Sequence, residues 1–179
     1  IIKRTRPTNA RNRQLRHISN ITVLPLSRNI NMAKFRRDFM AAMARCGNVL
    51  LLDPHIVDEQ LQETGIAFVD KHDPERYRRL SAWLDTLEEQ HDYVIYLANT
   101  EDDEWTQRCL RQSDRVLLLA NATDNSFPSL LEQKLLNEAA KKARSDNYLV
   151  LWHPPETIMP NGTQHWLQPR TWIKEAIHV

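Results

Sequence analysis

The sequence predicts an α/β fold: a three-layer, mostly parallel sheet with helices on both faces. Three observations carry that prediction. Five short apolar runs have the length of strands: Ile18–Leu26, Val49–Leu52, Tyr93–Ala98, Val116–Ala120 and Tyr148–Trp152. Most are continuous rather than alternating, as strands buried on both faces must be. Helical patterns separate them, and strands alternating with helices make a parallel sheet joined by right-handed crossovers.

Each element has its own signal. After the first run, Phe35, Phe39, Ala42, Met43 and Cys46 recur at the helical period from about Asn31 or Met32, and Gly47 stands where a C-terminal cap is expected. In "DPERYRRLSAWLDTLEEQH", Asp73 can cap the helix start and Pro74 suits its first position. Tyr77, Leu80, Leu84, Leu87 and His91 then share one face. Trp105, Cys109 and Leu110 mark a shorter helix, and Leu131, Leu135 and Ala139 another that runs to Arg144. From about residue 153 the chain turns rich in proline, tryptophan and histidine. That tail reads as irregular structure packed over the sheet, with a short helix near Gln164–Leu167. One domain, residues 18–179, is expected behind a basic linker, residues 1–17.

The chain has 179 residues, enough for one domain that buries roughly 70% of its unfolded surface. It is 41% hydrophobic and 26% charged, with a formal net charge of +1, so overall charge selects no partner. Residues 1–17 are different: Lys3, Arg4, Arg6, Arg11, Arg13 and Arg16 stand there with no acid. The simpler reading is a solvated connector. The other is an electrostatic contact with anionic lipid, nucleic acid or another domain. No apolar run approaches the roughly 20 residues needed to cross a bilayer. Cys46 and Cys109 lie far apart in helical patterns and read as reduced core thiols in a cytosolic setting.

The joint between the first strand and first helix reads Ser27-Arg28-Asn29-Ile30-Asn31. A phosphate loop needs glycines there, so that backbone N–H groups can approach a pyrophosphate. The only glycines are Gly47, Gly65 and Gly162, and no Gly-Lys-Ser/Thr is present. Asp53, closing "NVLLLD", has the place of a ribose-binding or water-activating acid, or of a satisfied strand-end carboxylate. "HDYVIYLANTEDD" resembles the metal-holding strand of phosphate-loop NTPases, but Leu97 occupies the aspartate position and Asn99 lies two residues on. Without that carboxylate and the loop lysine, phosphoryl transfer loses its electrostatic supports. If an anionic ligand binds without turnover, the crevice rule puts it at the strand ends, near Ser27, Asp53 and Asn99.

Other chemistries find less. No Gly-x-Ser-x-Gly elbow surrounds Ser27, whose expected work is capping the helix or turn. His153, Glu156, His165 and His178 are acceptable ligand types in no common zinc spacing, and loop hydrogen bonds are the simpler role. Trp152, Trp166 and Trp172 could stack bases, but in such a tail they more often fill hydrophobic gaps. Glu101, Asp102, Asp103 and Glu104 precede a helix and favour its N-terminus through the dipole.

"ITVLPLS", "GNVLLLD", "LDTLEEQHDYVIYLANTEDDEWTQRCLRQSDRVLLLANA", "YLVLWHPPETIMPNGTQHWLQPRTW" and a closing "HV" together resemble one region of the patatin-like phospholipases of the neuropathy target esterase family. It is the intermediate domain between the cyclic-nucleotide-binding modules and the catalytic patatin domain. The likeness runs from about Ile18 to Val179. It implies a degenerate P-loop NTPase-like fold related to ATPases that partition plasmids. It implies a cytoplasmic, non-catalytic structural or regulatory domain of a larger (lyso)phospholipase that can associate with membrane. The expected partners are the neighbouring cyclic-nucleotide-binding and patatin domains of the same chain, with peripheral membrane contact through the basic arm and no nucleic acid. The family's serine–aspartate dyad lies in Gly-x-Ser-x-Gly and Asp-Gly-Gly, neither of which occurs here. No catalytic residue, metal or cofactor is therefore expected in this chain. The alternative is a nucleotide- or anionic-metabolite-binding switch without hydrolysis.

Overall fold

In a computed structural model, which describes residues 20–133, 146–159 and 161–179, the strands form one six-stranded, all-parallel sheet. The strands are β1 (Asn20–Pro25), β2 (Val49–Leu52), β3 (Tyr93–Leu97), β4 (Arg115–Asn121), β5 (Asp146–Trp152) and β6 (Glu175–His178), in the order β2-β3-β1-β4-β5-β6. The helices are α1 (Met32–Met43), α2 (Pro54–Leu61), α3 (Pro74–Gln90), α4 (Glu104–Gln112) and α5 (Thr163–Leu167), with a 3₁₀ turn at Ile66–Phe68. Residues 130–133 are also helical. The basic arm and the helical pattern through Leu135 and Ala139 to Arg144 lie outside the described residues.

β1 is central, flanked by β3 and β4, with Val23 level with Leu97 on one side and Leu117 on the other. All its residues are buried, as the continuous apolar run required. α1 packs on one face, where Phe35 meets Ile21, Val23, Ile95, Leu119 and Val150. α2, α3, α4 and α5 pack on the other. There Val57, Leu80, Leu84, Trp105, Cys109 and Trp166 cover Leu24, Leu52, Val94, Tyr96, Val116, Leu118, Leu149 and Leu151. The β1–α1–β2 crossover moves one way along the sheet and every other crossover moves the opposite way. A uniform crossover hand requires the two faces to be used in this manner. Leu80 and Leu84 are fully buried on α3, and each contributes roughly 1.5–3 kcal/mol.

Several elements differ from the sequence reading. α1 ends at Met43 with Ala44 as its cap, so Gly47 is not a left-handed helix cap. Gly47 is instead where Asp92 comes close: a Cβ there would lie 2.6 Å from the Asp92 Oδ2, which accepts the Asn48 N–H at 2.9 Å. Because the helix stops early, Cys46 is exposed in the following turn and is not a core thiol. Cys109 is buried, and burial pushes its thiol well above the ordinary range. α2 was not anticipated, although Asp53-Pro54 carries the same cap-then-proline signal as Asp73-Pro74.

The tail is less irregular than its composition suggested. α5 falls where a short helix was expected, but the chain then forms β6, parallel to β5, with Tyr148 opposite Glu175 and Val150 opposite Ile177. Trp166 is buried and Trp172 packs against the same core, so both fill gaps as the simpler reading held. Arg108 is also inside the protein at 3% exposure. Its guanidinium donates to the Ser81 Oγ and the Val69 carbonyl and lies 4.3 Å from the Tyr77 ring centre. Burial lowers its pKa from the usual arginine value.

Candidate functional site

In an open parallel sheet, ligands sit where successive crossovers diverge, beyond the carboxyl ends of the strands. Here β1 is the switch strand: its crossover moves toward β2, while those of its neighbours β3 and β4 move the other way. Ser27, Asp53 and Asn99 follow β1, β2 and β3, so the fold brings all three to one edge. Each is already engaged within the protein.

The β1–α1 joint is tied sideways to the end of β4. The Leu26 N–H donates to the Leu119 carbonyl at 2.7 Å, and the Asn121 N–H donates to the Ser27 Oγ at 3.0 Å. The Asn29 Nδ2 donates to Asp124 Oδ1 at 3.0 Å. Ser27 is buried and does not cap α1; Asn31 does, accepting the Lys34 N–H at 3.0 Å. Asp53 caps α2 by accepting the Ile56 N–H at 2.9 Å, and its other oxygen pairs with the Arg36 Nη1 at 2.9 Å. Asn99 donates through its Nδ2 to Asp103 Oδ2 at 2.6 Å and through its backbone to the Thr106 Oγ1 at 3.1 Å. Asp103 caps α4, accepting the Thr106 N–H at 2.8 Å. The acidic cluster thus works at the helix N-terminus, as its position suggested.

These caps decide what the edge can hold. A helix N-terminus binds phosphate through free N–H groups and the positive end of its dipole. At α1, α2 and α4 a side chain of the protein itself occupies that position, twice a carboxylate. The joints and first helical turns that follow β1 to β4 carry Asp53, Glu101, Asp102, Asp103, Glu104 and Asp124 against Arg28 and Lys34, with Arg36 paired to Asp53. The Arg28–Glu101 pair, 4.0 Å apart and highly exposed, adds little. A triphosphate would meet more repulsion than attraction.

The tail histidines form a separate group that the spacing did not reveal. The His153 Nε2 lies 2.8 Å from the His178 Nδ1, and the His178 Nε2 lies 3.0 Å from the Thr163 Oγ1. His165 and Glu156 are exposed, and among the described residues no three potential metal ligands converge. The pair borders an open groove of about 830 Å³ lined by Phe35, Phe39, Trp152, Pro154 and Val179. The Lys34 Nζ lies 4.8 Å over the Trp152 ring there.

Burial and the neighbouring His178 lower the pKa of His153 from 6.5. Between that folded value and 6.5 the unfolded chain binds more protons, so stability falls as pH drops through this window. The contribution is complete above 6.5. Thermal melts at pH 7.5 and 5 should show a larger loss for the parent chain than for His153→Asn. Equal losses would mean that the pair is not coupled to folding.

A family model described as the Neuropathy Target Esterase family P-loop like domain matches residues 17–179. The chain belongs to this family. Relatives of the domain include patatin-like phospholipase domain-containing protein 7 of Rattus norvegicus, 29% identical over 91% of this chain and 11% of the relative. Lysophospholipase NTE1 of Kluyveromyces lactis is 31% identical over 89% of the chain and 10% of its own length. The esterase-family domain therefore spans about a tenth of the curated relatives it matches. A plasmid partition protein from Borrelia burgdorferi superimposes with a TM-score of 0.56 at 13% identity, covering 89% of this chain and 91% of the other. That likeness bears on fold alone. It agrees with a P-loop-like architecture whose phosphate loop is replaced by the joint at residues 26–31.

Proposed function

We propose that this domain is a non-catalytic module of a larger patatin-like (lyso)phospholipase, holding regulatory and catalytic modules in register. The observation that carries the reading is the closed crevice: the α1, α2 and α4 N-termini are capped by Asn31, Asp53 and Asp103. The names of the relatives supply the parent activity. The proposal includes a cytoplasmic setting, with the adjoining cyclic-nucleotide-binding and patatin modules as partners and the basic arm as a linker that can touch anionic membrane. Among the described residues, no helix is long and apolar enough to cross a membrane. Incubation of the purified chain with ATP, GTP and a lysophospholipid should give no turnover. Hydrolysis of any of them that depends on residues of this chain would end the proposal.

A second reading keeps an anionic metabolite at the switch point, bound without hydrolysis near Ser27, Asp53 and Asn99. Its support is Arg36, which stands beside Asp53 and would be released if a ligand displaced that carboxylate. Calorimetric titration with a nucleotide panel separates the readings. The scaffold predicts a flat response, and the switch predicts binding that Arg36→Ala abolishes.

A further inference from the structure

Among the described residues, four large apolar side chains are far more exposed than their chemistry favours: Phe127 at 77%, Leu130 at 83%, Ile158 at 99% and Met159 at 78%. They fall on two connections, one following β4, where Leu130 opens the helix at residues 130–133, and one following β5. These strands are neighbours, and the loops leave the same edge of the sheet, where the Ala122 N–H donates to the Trp152 carbonyl at 2.9 Å. The second loop leads through α5 to Arg170, whose Nη1 donates to the Ser126 carbonyl at 2.6 Å, one residue before Phe127. The two loops are thus tied into one unit.

We propose that these tips form a phospholipid-binding surface that inserts into the interfacial layer of a bilayer. Exposed apolar clusters mark either protein or membrane contacts, and the surroundings favour the membrane. Phe127, Ile158 and Met159 stand on irregular segments, and Leu130 is the first residue of a helix. Residues 125–131 and 157–163 contain no charged side chain. The acid that follows the first stretch, Glu132, is buried on Arg170 and presents no charge to a headgroup layer. Phe127 precedes a proline in the sequence, as Met159 does, which disfavours helical backbone at those two tips. The same sheet edge bears Glu101, Asp102, Asp103 and Glu104, which an anionic surface would repel. The surface therefore fits a zwitterionic bilayer held by apolar insertion. An electrostatic contact through the basic arm would instead need anionic lipid and would weaken with salt.

Co-sedimentation of the whole chain with phosphatidylcholine vesicles tests this. The chain should pellet with the vesicles, and raising the salt should not release it. Ile158→Ser with Met159→Ser should lower the partition coefficient by about tenfold or more, as should Phe127→Ser with Leu130→Ser. Circular dichroism and melting should be unchanged in both variants, since these side chains pack against little. Four results would overturn the proposal: no binding by the parent chain, variants that bind equally well, binding confined to anionic vesicles and lost in salt, or tips that are consumed by self-association in the absence of lipid. Each of these outcomes leaves the scaffold reading intact.

Discussion

Replacing Arg170 with alanine should destabilise the domain by about 3–5 kcal/mol, the cost of stranding a buried charge. Arg170 and Glu132 are 1% and 2% exposed, and their contact is bidentate, at 2.7 and 3.2 Å. The guanidinium also donates to the Ser126 and Trp166 carbonyls, at 2.6 and 2.9 Å, and lies 4.8 Å from the Trp166 ring centre. Each donor that leaves exposes a carbonyl or carboxylate that water cannot easily reach. Arg170→Lys should rescue little, because an ammonium cannot match the fork geometry. Arg170→Met combined with Glu132→Gln should recover part of the loss, since both charges leave together while the Ser126 and Trp166 carbonyls lose their donor. Glutamine can still accept the Ser129 N–H that Glu132 now accepts at 2.8 Å. Urea denaturation measures all four proteins. A loss below about 1 kcal/mol for Arg170→Ala would put the pair in the range of solvated surface contacts and remove it as the clamp of the tail.

Trp105→Ala should cost a similar amount, about 3–5 kcal/mol, through a different mechanism. Trp105 is fully buried on α4, tilted against Tyr96 at 6.1 Å between ring centres, within the larger core. Its indole N–H donates to the Leu97 carbonyl at 2.9 Å, at the end of the strand beside β1. Alanine leaves a large cavity and an unpaired carbonyl. Trp105→Phe fills most of the space and loses the hydrogen bond, so roughly 1–2 kcal/mol should remain lost. The ordering alanine, phenylalanine, parent in denaturation midpoint checks the assignment. Equal midpoints for phenylalanine and alanine variants would mean that the carbonyl bond, rather than the packed volume, dominates.

These two residues sit on opposite sides of what could be read in advance. Trp105 was visible as the start of a short helix because its neighbours Cys109 and Leu110 repeat at helical spacing. Arg170 was one basic residue in a proline-rich tail. Its partner nevertheless had a local signature, since Ser129-Leu130-Leu131-Glu132 is a capping box. The Glu132 N–H donates to the Ser129 Oγ at 3.2 Å while the carboxylate turns back to the Ser129 N–H. That the same carboxylate also receives Arg170, 38 residues later, has no sequence pattern. His153 and His178 are another such pair, 25 residues apart and joined only because β6 lies beside β5.

By itself, the sequence determined the class of fold, the five runs that became β1 to β5, and the absence of a glycine-bearing phosphate loop after β1. These follow from short-range physics: a strand buried on both faces needs a continuous apolar run, a helix start needs a cap, and a phosphate cradle needs glycine. It left Ser27, Asp53 and Asn99 as candidates, because a polar residue at a strand end looks the same whether free or engaged. The tertiary structure decided that Ser27 is held by Asn121, that Asp53 closes α2, that Asn99 supports the α4 cap, and that the tail adds a sixth strand. It also decided that two uncharged loops emerge side by side. Contacts between segments far apart in the chain depend on which strand lies next to which, and that order is set by the packing of the whole sheet.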